Sequence, residues 1–153
     1  MNELEKLDDE DWSILTKKRG RKKNVKTVWV NGSFDVLHIG HIRMLKHAAS
    51  LGELIVGIDT DRRISELKGP TRPCNKLEDR KEMLESFHFI SKVLVFDTGE
   101  ELRDTIKEVN PDYLVVGAEY IERGVIGGEH AGEIVFFPRI PEYSTTNILN
   151  SNK

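Results

Sequence analysis

The chain has 153 residues, of which 38% are hydrophobic and 32% charged, with a formal net charge of -3. That length suits one compact domain able to bury a hydrophobic core, and the composition reads as an ordinary soluble protein rather than a disordered one. The negative balance argues against nucleic-acid binding by bulk electrostatics, and no apolar run approaches the roughly 18–20 residues of a membrane span.

Residues 1–25 read as an N-terminal extension. Its start, Met1 to Trp12, is acidic and lacks the apolar core of a secretory signal. A candidate helix over Asp11–Lys18 runs into a basic link, Lys17 to Lys23. Without interleaved aromatic residues for base stacking, that link reads as a solvated linker. Cys74 is the single cysteine, which excludes an internal disulfide and fits a reducing compartment. A cytoplasmic protein is expected.

Residues 26–153 carry a regular alternation. Thr27–Val30 reads as a buried strand ending at the turn Asn31-Gly32, and His41–Leu51 has apolar residues at helical spacing closed by Gly52. A second strand follows at 54–58, then a short helix near Asp61–Leu67 and a longer one from Leu77 to about Phe89. Lys68 to Asn75 lies between those helices and is a loop by its Gly and Pro content. Further strands are expected at 93–96, 113–116 and 133–137, with a helix from Thr98 to Val109 between the first two. Ser144 or Thr145 caps a last short helix. Apolar strands alternating with helices indicate an α/β fold, a doubly wound, Rossmann-like sheet of five parallel strands with helices on both faces. Ligands bind such sheets beyond the carboxyl ends of the strands, where the strand order reverses.

The strongest local signal is Asn31 to His41, directly after the first strand. Gly32 and Ser33 bring backbone N–H groups to a phosphate, and the following helix points its positive end at the same place. His38 and His41 are one helical turn apart, so both imidazoles can face one point, and Gly40 keeps the helix entry bare. Asp35 is placed to fix the turn through side chain to backbone hydrogen bonds. Two histidines at this spacing also suit zinc, but no third ligand lies nearby in sequence.

These residues resemble the cytidylyltransferase-like nucleotidyltransferase superfamily, whose hallmark is an H-x-G-H pair after the first strand. Lys68-Gly-Pro-Thr-Arg-Pro-Cys-Asn75, followed by Arg80, is similar to the second segment of the adenylyltransferase domain of ADP-heptose synthases. Gly117-Ala118-Glu119-Tyr120 stands where that family has G-G-D-Y, and Tyr143 to Ile148 resembles its S-T-T-x-I segment. Glu142 replaces a frequent Gly. The resemblance spans about residues 26 to 150 and makes 26–153 a nucleotidyltransferase domain.

Nucleotidyl transfer is an in-line attack by a phosphate oxygen on an α-phosphorus, so the protein needs positioned cations and N–H donors more than a nucleophile. His38, His41, Lys68 and Arg72 are the catalytic candidates. Gly32, Ser33, Phe34, Asp35, Gly40, His41, Arg80, Gly117, Glu119, Tyr120, Arg139, Ser144, Thr145 and Thr146 are expected to bind the nucleotide. Lys68, Arg72 and Arg80 would hold pyrophosphate or the attacking phosphate. Asp59 and Asp61 could help hold a metal ion, though capping the next helix is the simpler role. The partners implied are a nucleoside triphosphate and a phosphorylated acceptor, with Mg2+ carried in by the triphosphate. Neither a nucleic acid nor a membrane is expected as a partner, and the resemblance implies a homodimer.

Three other readings compete. The H-I-G-H string also opens class I aminoacyl-tRNA synthetases, but no K-M-S-K-S-like loop follows. Glycerol-3-phosphate cytidylyltransferase shares the H-x-G-H pair and an Arg before S-T-T, as in Pro138-Arg139 and Ser144-Thr145-Thr146 here. A non-catalytic nucleotide-binding module would need no full set of phosphate-handling residues.

Overall fold

The computed structural model describes residues 25–138. The expected N-terminal helix and basic link, Arg139, and the Ser144–Thr146 helix start all lie outside the described residues. Five parallel strands form one sheet in the order β3-β2-β1-β4-β5. They are β1 (Thr27–Gly32), β2 (Glu53–Asp59), β3 (Ile90–Phe96), β4 (Tyr113–Gly117) and β5 (Glu133–Phe137). The helices are α1 (Ile39–Leu51), α2 (Asp61–Lys68), α3 (Leu77–Glu85) and α4 (Gly99–Val109). The doubly wound, Rossmann-like sheet expected from the alternation is the fold observed.

Strand alternation sorts the core into two layers. Val28 and Val30 of β1 join Leu54, Val56 and Ile58 of β2 under α1 and α3, through Leu45, Ala48 and Leu84. Trp29, Ile55, Leu114 and Val116 face the other way, onto Leu102 and Ile106 of α4. Trp29 is fully buried, and its indole N–H donates to the Asn31 side chain at 2.8 Å, two residues on along the same face. Gly57 leaves room for that indole, since a Cβ there would overlap the six-membered ring.

α3 stops at Glu85, four residues before the end read from the sequence. Ser86 donates its N–H to Glu82, Phe87 to Leu84, and Ile90 to Phe87, a chain of turns that feeds β3. Phe87 and Phe89 pack against the first core layer. Their burial, rather than a breaker residue, ends the helix.

The chain runs β1, β2, β3 outward in one direction, then crosses back to place β4 on the far side of β1. The switch point therefore lies between β1 and β4, at Asn31-Gly32 and Gly117. Two adjacent parallel strands whose outgoing connections diverge leave a crevice above their carboxyl ends. None of the described helices is long and apolar enough to cross a membrane.

Candidate active site

A cleft of about 680 Å³ opens over that switch point. Gly32, Ser33, Phe34, His38, Gly40, His41, Lys68, Gly117, Glu119 and Tyr120, all singled out from sequence, line it. Asn31, Arg63, Phe96 and Arg123 line it too and were not on that list, and so does Asp59, which the sequence offered as a metal-holding or capping residue.

His38 is the N-cap of α1, and its Nδ1 accepts the Gly40 N–H at 3.1 Å. His41 reaches back, its Nδ1 accepting the His38 N–H at 3.3 Å. This is a capping box in which histidines do the work usually done by Ser and Glu. The rings stack with centroids 3.8 Å apart. Because each Nδ1 is an acceptor, the network puts the proton of each neutral ring on Nε2. Burial lowers the His38 pKa, and burial together with His38 and Lys68 brings His41 down to about 4. At neutral pH the pair is uncharged and offers two N–H donors at the start of a helix with no acidic residue in its first turn.

Phe34 seats this turn. It holds a positive φ of 47°, is 3% exposed, and meets His41 edge-on at 5.4 Å. Its ring fills the space beside Gly32, where a Cβ would approach to 3.2 Å. Across the switch point the Glu119 carboxyl folds back over Gly117, a position any side chain would take from it. Arg123 lies 5.8 Å from the centroid of the Tyr120 ring.

The basic residues divide sharply. Arg80 is fully buried and bonds to the carbonyls of Asn75, Ser33 and Asp59 and to the Asp61 carboxylate. With its guanidinium spent on the protein, Arg80 cannot hold a phosphate; it braces the turns after β1 and β2 from below. Arg72 also lies off the cleft, donating from Nε to Asp35 at 2.7 Å, while its Nη2 is buried and lacks a partner among the described residues. Asp35, 1% exposed, accepts as well from the Cys74 and Asn75 N–H groups, and the Asn75 side-chain amide closes onto its carbonyl. Asp35 therefore anchors the 68–75 loop rather than its own turn. Burial pushes its pKa up, but the Asn75 and Cys74 N–H groups and Arg72 outweigh that and leave it below the ordinary value.

Asp59 and Asp61 do not cap α2 either. Thr60 does, accepting the Arg63 N–H at 3.2 Å, while Asp59 pairs with Arg63 at 2.8 Å and Asp61 with Arg80 at 2.7 Å. Three arginines around the site are thus each matched to an aspartate. Lys68 is different: among the described residues its ammonium meets only the Ser33 hydroxyl, at 3.1 Å. Desolvation, with Arg72 and Arg80 near, lowers its pKa against the pull of Asp59 and Asp35. No three His, Cys, Asp or Glu side chains converge as metal ligands among the described residues.

A Rossmann-like sheet with an H-x-G-H turn at its switch point defines a nucleotidyltransferase-like domain. The chain belongs to the cytidylyltransferase-like family, whose model matches residues 29–149. It is 42% identical over 127 residues to the bifunctional protein HldE of Campylobacter fetus, covering 82% of this chain and 28% of that protein. It is 44% identical over 132 residues to the bifunctional protein HldE of Helicobacter hepaticus, covering 84% and 27%. The chain thus spans little more than a quarter of the length of these curated relatives. Among solved structures it is similar to a lipopolysaccharide core biosynthesis protein from Thermoplasma volcanium, with a TM-score of 0.57 and 26% identity over 79% of this chain and 100% of the other.

Proposed function

We propose that this domain transfers a nucleotidyl group from a nucleoside triphosphate to a phosphorylated small molecule, most simply adenylyl from ATP to a sugar 1-phosphate such as a heptose 1-phosphate. The observation that carries this reading is the stacked His38–His41 pair, two neutral Nε2–H donors at a helix start on the switch point. An acceptor phosphate oxygen would attack the α-phosphorus as the bond to the bridging oxygen breaks, with pyrophosphate leaving on that electron pair. Charge accumulates on the oxygens of the triphosphate, where fixed N–H donors and an ammonium stabilise the transition state without reorganising. His38 and His41 would donate to those oxygens, and Lys68, with no carboxylate partner among the described residues, would add net positive charge. Mg2+ would enter with the triphosphate. Arg139, Ser144, Thr145 and Thr146 are proposed to complete the phosphate contacts.

The sugar 1-phosphate choice draws on the Lys68–Asn75 segment and on similarity to HldE proteins and to a lipopolysaccharide core biosynthesis protein. Glycerol-3-phosphate cytidylyltransferase is the second reading, favoured by Pro138-Arg139 ahead of Ser144-Thr145-Thr146. Pyrophosphate release with Mg2+, across ATP, CTP, GTP and UTP against a heptose 1-phosphate and glycerol 3-phosphate, separates the two. Release requiring ATP and the heptose phosphate is expected. Release only with CTP and glycerol 3-phosphate would reverse the choice, and nucleotide binding without release from any pair would favour a non-catalytic module.

A further inference from the structure

Arg63 and Asp59 form an ion pair on the cleft wall that leaves donor and acceptor atoms over for a ligand. Arg63 donates from Nε to Asp59 Oδ2 at 2.8 Å, its backbone N–H is held by the Thr60 cap, and its guanidinium lies 5.6 Å from the centroid of the Phe96 ring. The side chains are 17% and 12% exposed, so both are nearly enclosed while still reaching the cleft. The two terminal nitrogens of Arg63 and Oδ1 of Asp59 have no partner among the described residues, and none of them is a sealed atom. An arginine held from its backbone, its Nε and its ring face has already lost the rotamer freedom that binding would otherwise cost.

Charge separates this pair from Lys68. A phosphate bonded to Arg63 would lie against the Asp59 carboxylate that Nε already holds, whereas the hydrogen-bond partner of Lys68 among the described residues is the neutral Ser33 hydroxyl. A guanidinium beside a carboxylate offers donors and an acceptor side by side, which is the complement of two neighbouring hydroxyl groups. Phe96, 2% exposed, backs the guanidinium, so a ligand in the cleft would meet the free donor and acceptor atoms of the pair.

We infer that Asp59 and Arg63 are specificity-determining residues that read a vicinal diol on a polyhydroxylated acceptor. Its placement on the acceptor rests on the transferase reading; the chemistry it recognises does not. Oδ1 accepts from one hydroxyl and the guanidinium donates to the next. The signal in the sequence is the spacing Asp59 to Arg63 across a strand end and one helical turn, which only the fold brings onto the cleft.

Equilibrium binding tests this without turnover. A heptose 1-phosphate, ethyl phosphate (a phosphate monoester with no diol) and inorganic phosphate are titrated by calorimetry into the wild type, R63Q, R63K and D59N. The wild type is expected to bind the heptose phosphate at least tenfold more tightly than the other two. R63Q and D59N should each remove most of that advantage while leaving inorganic phosphate within about twofold, and R63K, lacking the fork, should not restore it. Variants that weaken all three ligands alike, or none, would overturn the inference, as would a wild type with no preference for the heptose phosphate. Thermal melts of each variant identify a loss that comes from unfolding, and R63K then decides, since it keeps the charge and the ion pair. Tight diol-dependent binding with no pyrophosphate release would sink the transferase reading while leaving this one standing.

Discussion

His41 is where fold and proposed chemistry meet in a single side chain. Its Nδ1 serves the helix cap and its Nε2 is left for a ligand, so truncation should affect rate more than stability. His41→Ala is expected to lower kcat by about 10² or more, read from single-turnover pyrophosphate release. The same residue should mark the acid side of stability. Its folded pKa of about 4 lies below the usual 6.5, so the unfolded chain takes up the proton first. The stability from keeping His41 neutral is complete above about pH 6.5 and drains away toward pH 4, by about 1.4 kcal/mol per pH unit at the steepest. Asp59 acts in the opposite sense, because burial raises its carboxyl pKa against Arg63. Denaturant midpoints of the wild type and His41→Ala between pH 7 and 4.5 cancel that contribution, and the wild type should show the steeper decline. Lys68 is read more simply. Lys68→Met should cut kcat/KM by about tenfold or more with little change in melting temperature, since its ammonium holds only Ser33 among the described residues.

At the scale of elements, two contacts fix the site from a distance. Asp35 sits in the turn after β1 and holds the 68–75 loop through two backbone N–H groups and Arg72. Asp35→Ala would leave Arg72 enclosed without its counter-charge, at a cost of about 3–5 kcal/mol. A fall in the urea midpoint, with proteolytic nicking moving into the 68–75 loop, is the expected outcome. The second contact is steric. Gly57 in β2 faces the Trp29 ring, so Gly57→Ala must push the indole aside in both strands' shared layer. Overpacking of this kind costs about 1–3 kcal/mol, and a shift in tryptophan emission should accompany the loss of stability.

Across the whole domain, the cleft joins the ends of β1, β2 and β4, so ligand binding should report on global stability. A triphosphate with Mg2+ at about 100 times its dissociation constant should add about 2.7 kcal/mol to unfolding, seen as a raised melting temperature. Lys68→Met should lose most of that gain while keeping the melting temperature of the free protein. The homodimer implied by the family resemblance is a separate proposal, decided by light scattering at micromolar protein.

Much of this was legible in the chain itself. The H-x-G-H turn, the strand run before it and the glycine at the end of β4 are local patterns, and local sterics and periodicity determined them: the five strands, the helix start at Thr98, and the histidine pair. What the tertiary structure alone decided is which charge meets which. Arg80 reads in sequence as a helix-surface cation or a phosphate ligand, and only the burial of α3 against the turns after β1 and β2 turns it inward. Asp35 and the Cys74 and Asn75 amides are 39 and 40 residues apart, a contact without a sequence period. Arg63 reads as one more helical arginine until β2 delivers Asp59 and β3 delivers Phe96 to the same edge. Pairing buried charges is a problem of three-dimensional neighbourhood, since desolvation is relieved by whichever opposite charge lies within a few ångströms, however far along the chain it began.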